Sequence, residues 1–125
     1  MTGQGILLVL LAAGMTVAGN LMMREGVVRA GGLSLQLATM GRDLARLAGQ
    51  PLLDVGLALY GLASLVWFRI VSTESLNTSY PVLVSLTFLF VTLGATVLFK
   101  EPLSVQKVVG IGVILLGIVL VATAK

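Results

Sequence analysis

The stretch GILLVLLAAGMTVAGNLMM, residues 5–23, runs for 19 positions without a charged side chain. An α-helix of that length rises about 30 Å, which is the thickness of the hydrocarbon core of a bilayer. Three further long apolar runs follow at residues 52–71, 78–99 and 108–124. Because lipid offers no hydrogen bonds to the backbone, such runs between short polar connections predict helices that span a membrane.

The composition supports the same fold class. Hydrophobic residues make up 58% of the chain and charged residues only 10%, against about a quarter charged in soluble domains. We therefore expect a single all-α membrane domain over residues 1–125. Its four transmembrane helices are expected at about 5–23, 52–71, 76–99 and 105–124. The first run is interpreted as a retained span and not a secretion signal, since residues 1–4 contain no Lys or Arg.

Several kinds of chemistry are excluded by residue types that the sequence lacks. The chain has no cysteine and no histidine, so it offers no thiol nucleophile, no disulfide and none of the usual zinc ligands. We predict no catalytic residue, no metal site and no cofactor, and therefore no enzyme. The net charge of +3 is assigned to basic residues that flank the membrane, not to nucleic-acid binding.

The distribution of Lys and Arg predicts the orientation. Six basic residues follow spans one and three, whereas only Arg69 and Lys125 lie on the opposite side. The six are Arg24, Arg29, Arg42, Arg46, Lys100 and Lys107. Cytoplasmic loops carry the excess of basic residues, so both odd loops are expected in the cytoplasm and both termini in the periplasm.

The long first connection predicts an additional helix at about residues 34–48. Apolar residues recur in it at spacings of four, three, four and three, which places them on one helix face. They are Leu33, Leu37, Met40, Leu44 and Leu47. Ser34 can cap its start and Gly49 can end it. The pattern predicts an amphipathic interfacial helix, which either only anchors the second span or also recruits an anionic lipid through Arg42 and Arg46.

The ends of the second span carry two charges with alternative explanations. Asp54 lies in the first turn, where it complements the helix dipole, and this favours a structural role. Arg69 lies near the other end, where snorkelling explains it. The same guanidinium, beside the polar residues 72–79, is also suited to binding a phosphate through two oxygens.

Pro81 and the glycines near the C-terminus are the remaining local signals. If the third span begins near Ser75, Pro81 falls inside the helix and frees a backbone carbonyl. If it begins at Ser79, the proline lies in the first turn and has no such effect. In the fourth span, Gly110 and Gly117 share one face and predict a helix-packing or dimer surface.

The segments LNTSYPVL (76–83), FVTL (90–93), KEPLS (100–104) and VAGNL (17–21) resemble the drug/metabolite transporter superfamily in its EamA-like, four-helix form. Within it, the chain resembles the small subunits that flip aminoarabinose-phosphoundecaprenol. The related small multidrug resistance pumps carry a proton-exchanging Glu in the first helix, and the matching position here is Met15. No acidic residue lies anywhere in 5–23, which argues against a proton-coupled exporter of cations.

The function implied is therefore a transporter or flippase subunit that moves a polyprenyl-phosphate-linked sugar, or a similar amphipathic lipid, across the membrane. The expected head-group contacts are Arg69, Glu74, Asn77 and Tyr80, with Asn20, Arg24 and Lys100 as further candidates. Glu101 and Pro102 are interpreted mainly as a structural turn. Two alternatives remain, a small multidrug or polyamine exporter and a non-transporting accessory subunit of a glycosyltransferase or carrier.

The expected partners are membrane lipids, the lipid-linked sugar and a second small subunit. Four spans are few for enclosing a polar pathway, so the functional unit is expected to be a homodimer or a heterodimer. The resemblance places it as a multi-pass protein in the bacterial inner membrane.

The basic-residue count yields a first testable prediction. A C-terminal reporter that fluoresces only in the cytoplasm should stay dark, while a reporter active only in the periplasm should give signal. A strong cytoplasmic signal would reverse the assignment, and equal signals would indicate that the chain inserts in both orientations.

Overall fold

A computed structural model describes residues 2–124, which form five α-helices. These are α1 (Gly3–Arg29), α2 (Leu37–Ala48), α3 (Pro51–Thr73), α4 (Leu76–Leu98) and α5 (Val105–Thr123). Met1 and Lys125 lie outside the described residues, so Lys125, which entered the orientation count, has no structural counterpart here. Residues 2–124 contain no strand, and the protein is an all-α membrane protein with four helices long and apolar enough to cross a bilayer.

The four long helices expose much of their apolar surface, as lipid-facing helices do. Large side chains such as Leu7, Leu65 and Val97 are more than half exposed. The effect is strongest in α5, where none of the residues from Val105 to Thr123 is buried. The bundle therefore has its packed core among α1, α3 and α4, with α5 joined to it mainly through α4.

The closest packing in the bundle joins α1 to α3 through glycines. A Cβ placed on Gly19 would lie 2.9 Å from the carbonyl oxygen of Gly56, and one placed on Gly26 would lie 2.6 Å from the amide nitrogen of Leu53. Neither position can hold a larger residue without moving a backbone. Small residues allow such approach in membrane helices, where van der Waals packing replaces the hydrophobic effect.

The spacing along α1 explains how one face packs over its whole length. Gly5, Ala12, Gly19 and Gly26 recur every seven residues, and all four are buried. On α3 the buried residues Gly56, Ala63 and Ile70 recur at the same interval. A seven-residue period keeps one seam between two helices that cross at a shallow angle.

A small apolar core fills the space where α1, α3 and α4 meet. Its buried members are Val9, Ala12, Ile70 and Val82. Toward the other end, Gly94 of α4 accommodates Leu21 of α1, whose methyl group would lie 2.8 Å from a Cβ at that position. α1 is thus the central helix of the fold.

The connection between α1 and α2 differs from the sequence prediction in the residue at which α2 begins. Gly31 and Gly32 both have positive φ angles, and their amides donate to the carbonyls of Val28 and Val27, which is a Schellman end to α1. The prediction that Ser34 caps the next helix is wrong. The helix begins at Leu37 with Gln36 as its N-cap, and the Ser34 hydroxyl accepts from the Gln36 amide at 3.4 Å, before the helix starts. The backbone N–H of Ser34 donates to the Asp43 carboxylate, 3.0 Å away.

The structure resolves the two readings of Pro81. α4 begins at Leu76 after Ser75, so Pro81 lies in the second turn and not in the first. Since proline has no N–H, the carbonyl of Asn77 receives no helical hydrogen bond from it. The reading in which the helix begins at Ser79 is wrong.

The contact between α1 and α3 yields a stability prediction. Gly19→Ala should lower the melting temperature of the protein in detergent, because the added methyl must push the two backbones apart at a cost of about 1–3 kcal/mol. Gly14→Ala, on the same helix but with no atom within 4 Å of its Cβ, is the matched control. It should be neutral or stabilising, since alanine favours helix by about 1 kcal/mol over glycine. Equal effects would contradict the packing argument.

Candidate functional site

A groove in the middle of the bundle is the first candidate site. It has a volume of about 250 Å³ and lies between α3 and α4, with α1 as its floor. Its lining residues are Ala12, Thr16, Tyr60, Ala63, Ser64, Trp67, Tyr80, Leu83, Val84 and Thr87. None of these residues is Asp, Glu, Lys or Arg, so the groove, which lies within the membrane-spanning helices, is apolar with a few hydroxyl groups and no formal charge.

Aromatic side chains form the walls of this groove. The rings of Trp67 and Tyr80 meet at a centroid distance of 5.8 Å and an interplanar angle of 59°. Tyr60 and Tyr80 remain 43% and 55% exposed, so the groove is open on one side. Aromatic faces of this kind bind cations and the apolar faces of polar ligands.

Hydroxyl groups supply the hydrogen-bonding capacity. Ser64 donates to the carbonyl of Tyr60 at 3.2 Å and keeps its acceptor positions free. Thr16 and Thr87 contribute hydroxyls from α1 and α4. Thr16, Ser64 and Thr87 are not among the candidates chosen from the sequence. Their helical spacing could have indicated two of them, since Ser64 shares one face of α3 with Tyr60 and Trp67, and Thr87 shares one face of α4 with Tyr80 and Val84.

The groove continues toward the end of the bundle that holds the two termini, here called the terminal end. A second cavity of about 610 Å³ shares Trp67 and Tyr80 with the groove and adds Leu76, Asn77 and Pro81. Two of the sequence candidates, Asn77 and Tyr80, are therefore brought together here. The Asn77 carbonyl left free by Pro81 belongs to this same turn of α4.

Glu74 is a third candidate at the terminal end, but it contacts a different helix. Its carboxylate accepts hydrogen bonds from the hydroxyl of Thr2 at 2.7 Å and from the backbone N–H of Thr2 at 3.4 Å. The side chain packs onto Gly5. Glu74 thus fastens the start of α1 to the connection between α3 and α4, and it does not line the groove.

Arg69 is not brought into the groove either. It follows Trp67 by two residues, which turns its side chain about 200° around the helix axis from the groove. Its side chain is exposed and makes no ion pair within residues 2–124. The geometry therefore separates Arg69 from Asn77 and Tyr80, with which the sequence interpretation grouped it.

The remaining candidates lie at the opposite end, here called the loop end. Arg24 of α1 pairs with Glu101 at 2.9 Å, and its guanidinium carbon lies 4.4 Å from the centre of the Phe99 ring. Lys100, between these two partners, has a φ of +54°, a left-handed conformation that lysine rarely adopts. The prediction that Glu101 belongs to a structural turn is consistent with this pairing.

The two groups of candidates are separated by the length of the membrane-spanning helices. α4 alone has 23 residues, which corresponds to about 34 Å. No single small head group can contact Tyr80 and Lys100 together. On α1, however, Thr16, Asn20 and Arg24 follow one another at intervals of four, so polar side chains lead along one stripe from the groove to the loop end.

A second polar cluster lies beside α2. Asp43 is only 4% exposed, and its carboxylate accepts from the Ser34 amide and from the Arg46 guanidinium. The hydrogen bond from Ser34, followed by that from Arg46, holds the pKa of Asp43 below its ordinary value of 3.8. The charged carboxylate therefore fastens the loop of residues 31–36 to α2.

These features define a class of protein: a small polytopic membrane protein with an uncharged groove among its spanning helices, which is the arrangement of a transporter subunit. Comparison with known proteins specifies the family. The chain is 32% identical over 120 residues to a protein of Erwinia tasmaniensis named "Probable 4-amino-4-deoxy-L-arabinose-phosphoundecaprenol flippase subunit ArnE", covering 96% of this chain and 98% of that protein. The chain belongs to this family of flippase subunits.

Other relatives carry the names of both subunit types. An ArnE protein of Serratia proteamaculans is 34% identical over 118 residues, covering 94% of this chain and 95% of the relative. An ArnF protein of Aeromonas hydrophila is 35% identical over 123 residues, covering 94% of this chain and 79% of the relative. Neither a family profile nor a solved structure matches the chain.

The Asp43 cluster gives a pH-dependent prediction. Since the folded state lowers the pKa of Asp43, its contribution to stability is present at neutral pH and is lost as pH falls below 3.8 through the lowered value. Asp43→Asn should remove the same contribution to stability at neutral pH. It should also speed hydrogen exchange of the Ser34 amide roughly tenfold.

Glu25→Gln is the matched control, because Glu25 is an acid of the same region that pairs only with Arg29 on the surface. It should leave exchange at Ser34 unchanged. Unchanged exchange in Asp43→Asn would show that the carboxylate does not fasten the loop.

Proposed function

We propose that this protein is one subunit of a flippase that moves a polyprenyl-phosphate-linked sugar across the bacterial inner membrane. The observation that carries the proposal is the uncharged groove of Trp67, Tyr80, Tyr60 and three hydroxyl residues, open on one side among the spanning helices. Membership in the flippase family supports the class of substrate.

The chemistry of the groove suits an amino sugar better than a plain phosphate. A protonated amine binds to the faces of Trp and Tyr, and this attraction is strengthened where water is excluded. Hydroxyls from Thr16, Ser64 and Thr87 can exchange hydrogen bonds with those of a sugar. No Lys or Arg lines the groove to repel the amine or to trap the phosphate.

The route of the head group follows from the polar residues at the two ends. We propose that the sugar passes along the groove between the Asn77 turn and the stripe of Thr16, Asn20 and Arg24, while the polyprenyl chain remains in lipid. The polar head then avoids bare hydrocarbon, where an unsatisfied polar group costs several kcal/mol. No covalent step is required, and we assign no catalytic residue.

The positions of the acids make a proton-coupled cation exporter a poor alternative. Such an exporter requires a carboxylate exposed to the transport pathway. Glu74 is held by Thr2 at the terminal end, Asp54 lies in the first turn of α3, and neither lines the groove.

The partner is proposed to be a second small subunit of the same kind. None of the residues from Val105 to Thr123 is buried within the chain, and Gly110 and Gly117, seven residues apart on one face, have no atom within 4 Å of a Cβ built on them. This glycine surface is open to a partner helix. Since the relatives include two types of subunit, we propose a heterodimer, with both termini in the periplasm.

Trp67 provides the direct test. The chain is reconstituted in liposomes with its paired subunit, and translocation of a lipid-linked amino sugar is measured by its accessibility from outside. Trp67→Leu should reduce translocation about tenfold, because the largest aromatic face of the groove is lost. Phe68→Leu is the matched control, since Phe68 is the adjacent aromatic residue, 60% exposed and outside the groove.

Arg69→Leu tests whether the head group is bound in the groove or by Arg69, the phosphate ligand suggested by the sequence. If snorkelling explains this residue, the variant translocates at close to the wild-type rate. A greater loss for Arg69→Leu than for Trp67→Leu, with both proteins inserted and assembled, would place the head group elsewhere. Equal losses for Trp67→Leu and Phe68→Leu would remove the argument for the groove.

A further inference from the structure

A third cavity lies outside the membrane-spanning bundle, between α2 and the loop that precedes it. Its volume is about 450 Å³. It is lined by Gly31, Gly32, Leu33, Ser34, Gln36, Thr39, Arg42, Asp43 and Arg46. More of its lining is polar than in the groove, and it contains two guanidinium groups within one turn of helix.

The charges of this cavity leave a net positive site. Arg46 donates to the buried Asp43, whose other oxygen accepts from the Ser34 amide, so this pair is neutral and its side chains are fixed. Arg42 is exposed and makes no ion pair within residues 2–124. The cavity thus presents one uncommitted guanidinium beside a second one held in place, together with Thr39 and Gln36.

The surroundings of the cavity indicate a lipid and not a free anion. Leu33 lines the cavity and is itself 44% exposed. On α2 itself, Leu37 and Leu44 are 92% and 51% exposed and follow the side of the helix opposite the cavity, about 140° and 200° around the axis from Arg42. α2 thus has an apolar side suited to the acyl region and a basic side, with Arg42, suited to the level of the lipid phosphates, which is the arrangement of an interfacial amphipathic helix.

We propose that this cavity is a binding site for the phosphate group of an anionic membrane lipid, with Arg42 as its main ligand and the lipid chains leaving past Leu33. A guanidinium can donate two parallel hydrogen bonds to phosphate oxygens. The Asp43 carboxylate serves to hold Arg46 and the loop in position for the same anion. This site is separate from the groove and does not depend on the substrate proposed for it.

Lipid retention by the purified protein tests the proposal. The protein in detergent is titrated with phosphatidylglycerol or with phosphatidylcholine, and the bound lipid is counted by native mass spectrometry. Arg42→Gln should weaken retention of phosphatidylglycerol about fivefold and leave phosphatidylcholine unchanged. Retention of phosphatidylglycerol by Arg42→Lys should lie between that of the wild type and that of Arg42→Gln, because lysine keeps the charge but loses the forked donors.

Arg29→Gln is the matched control. It removes one positive charge from the same end of the molecule, at an exposed residue paired only with Glu25. If it weakens retention as much as Arg42→Gln does, the effect is one of general charge and the site is refuted. Equal retention of the two lipids by the wild-type protein refutes it as well.

Inorganic phosphate distinguishes the two sources of the anion. Displacement of phosphatidylglycerol by millimolar phosphate would show that the lipid chains contribute nothing, which contradicts the lipid assignment, whereas retention supports it. If Arg42→Gln fails to fold, Arg42→Lys alone decides: retention equal to the wild type overturns the proposal. No translocation is measured in this experiment, so its failure and that of the flippase proposal are distinguishable.

Discussion

The backbone approach between Gly19 and Gly56 is the constraint on which the rest of the bundle depends. It sets the separation of α1 and α3, and α4 then packs against both. In lipid no solvent drives the helices together, so close packing has to supply the attraction. The groove exists because this contact holds α1 as a floor while Tyr60, Ser64 and Trp67 stay on the adjoining face of α3.

Much of the fold could be predicted from the sequence, because bilayer thickness fixes the length of a spanning helix. The packing partners could not. The sequence interpretation selected Gly110 and Gly117 as a packing surface, yet the glycines that pack closely within the described residues lie on α1, α3 and α4. Spacing identifies a face that permits approach, but it does not say which helix approaches. Ser34 was misassigned because its residue type permits capping but does not fix where the helix begins, and the N-cap is Gln36, two residues further on.

The site was predicted less well than the fold, for a reason that concerns charge. Charged residues are rare in this apolar sequence, so they were selected as head-group contacts. They are Arg69, Glu74, Arg24 and Lys100. The structure places these at two ends of the molecule and outside the groove. Tyr80 and Asn77, which line the groove or the cavity next to it, were selected because Pro81 marks their turn. Thr16, Ser64 and Thr87 carry no such mark, since a hydroxyl in a spanning helix can satisfy itself on its own backbone, as Thr92 and Thr96 do.

The absence of buried residues between Val105 and Thr123 has a consequence for how this chain can change over evolutionary time. Within the chain, α5 packs on the core through partly buried residues such as Ile118 and Val121, so apolar substitutions at its exposed positions should leave the stability of a lone subunit little altered. In the heterodimer that we propose, the restriction on its glycines comes from a second gene product. Sequence covariation for α5 should consequently appear between subunits, while that for Gly19 and Gly56 should appear within one.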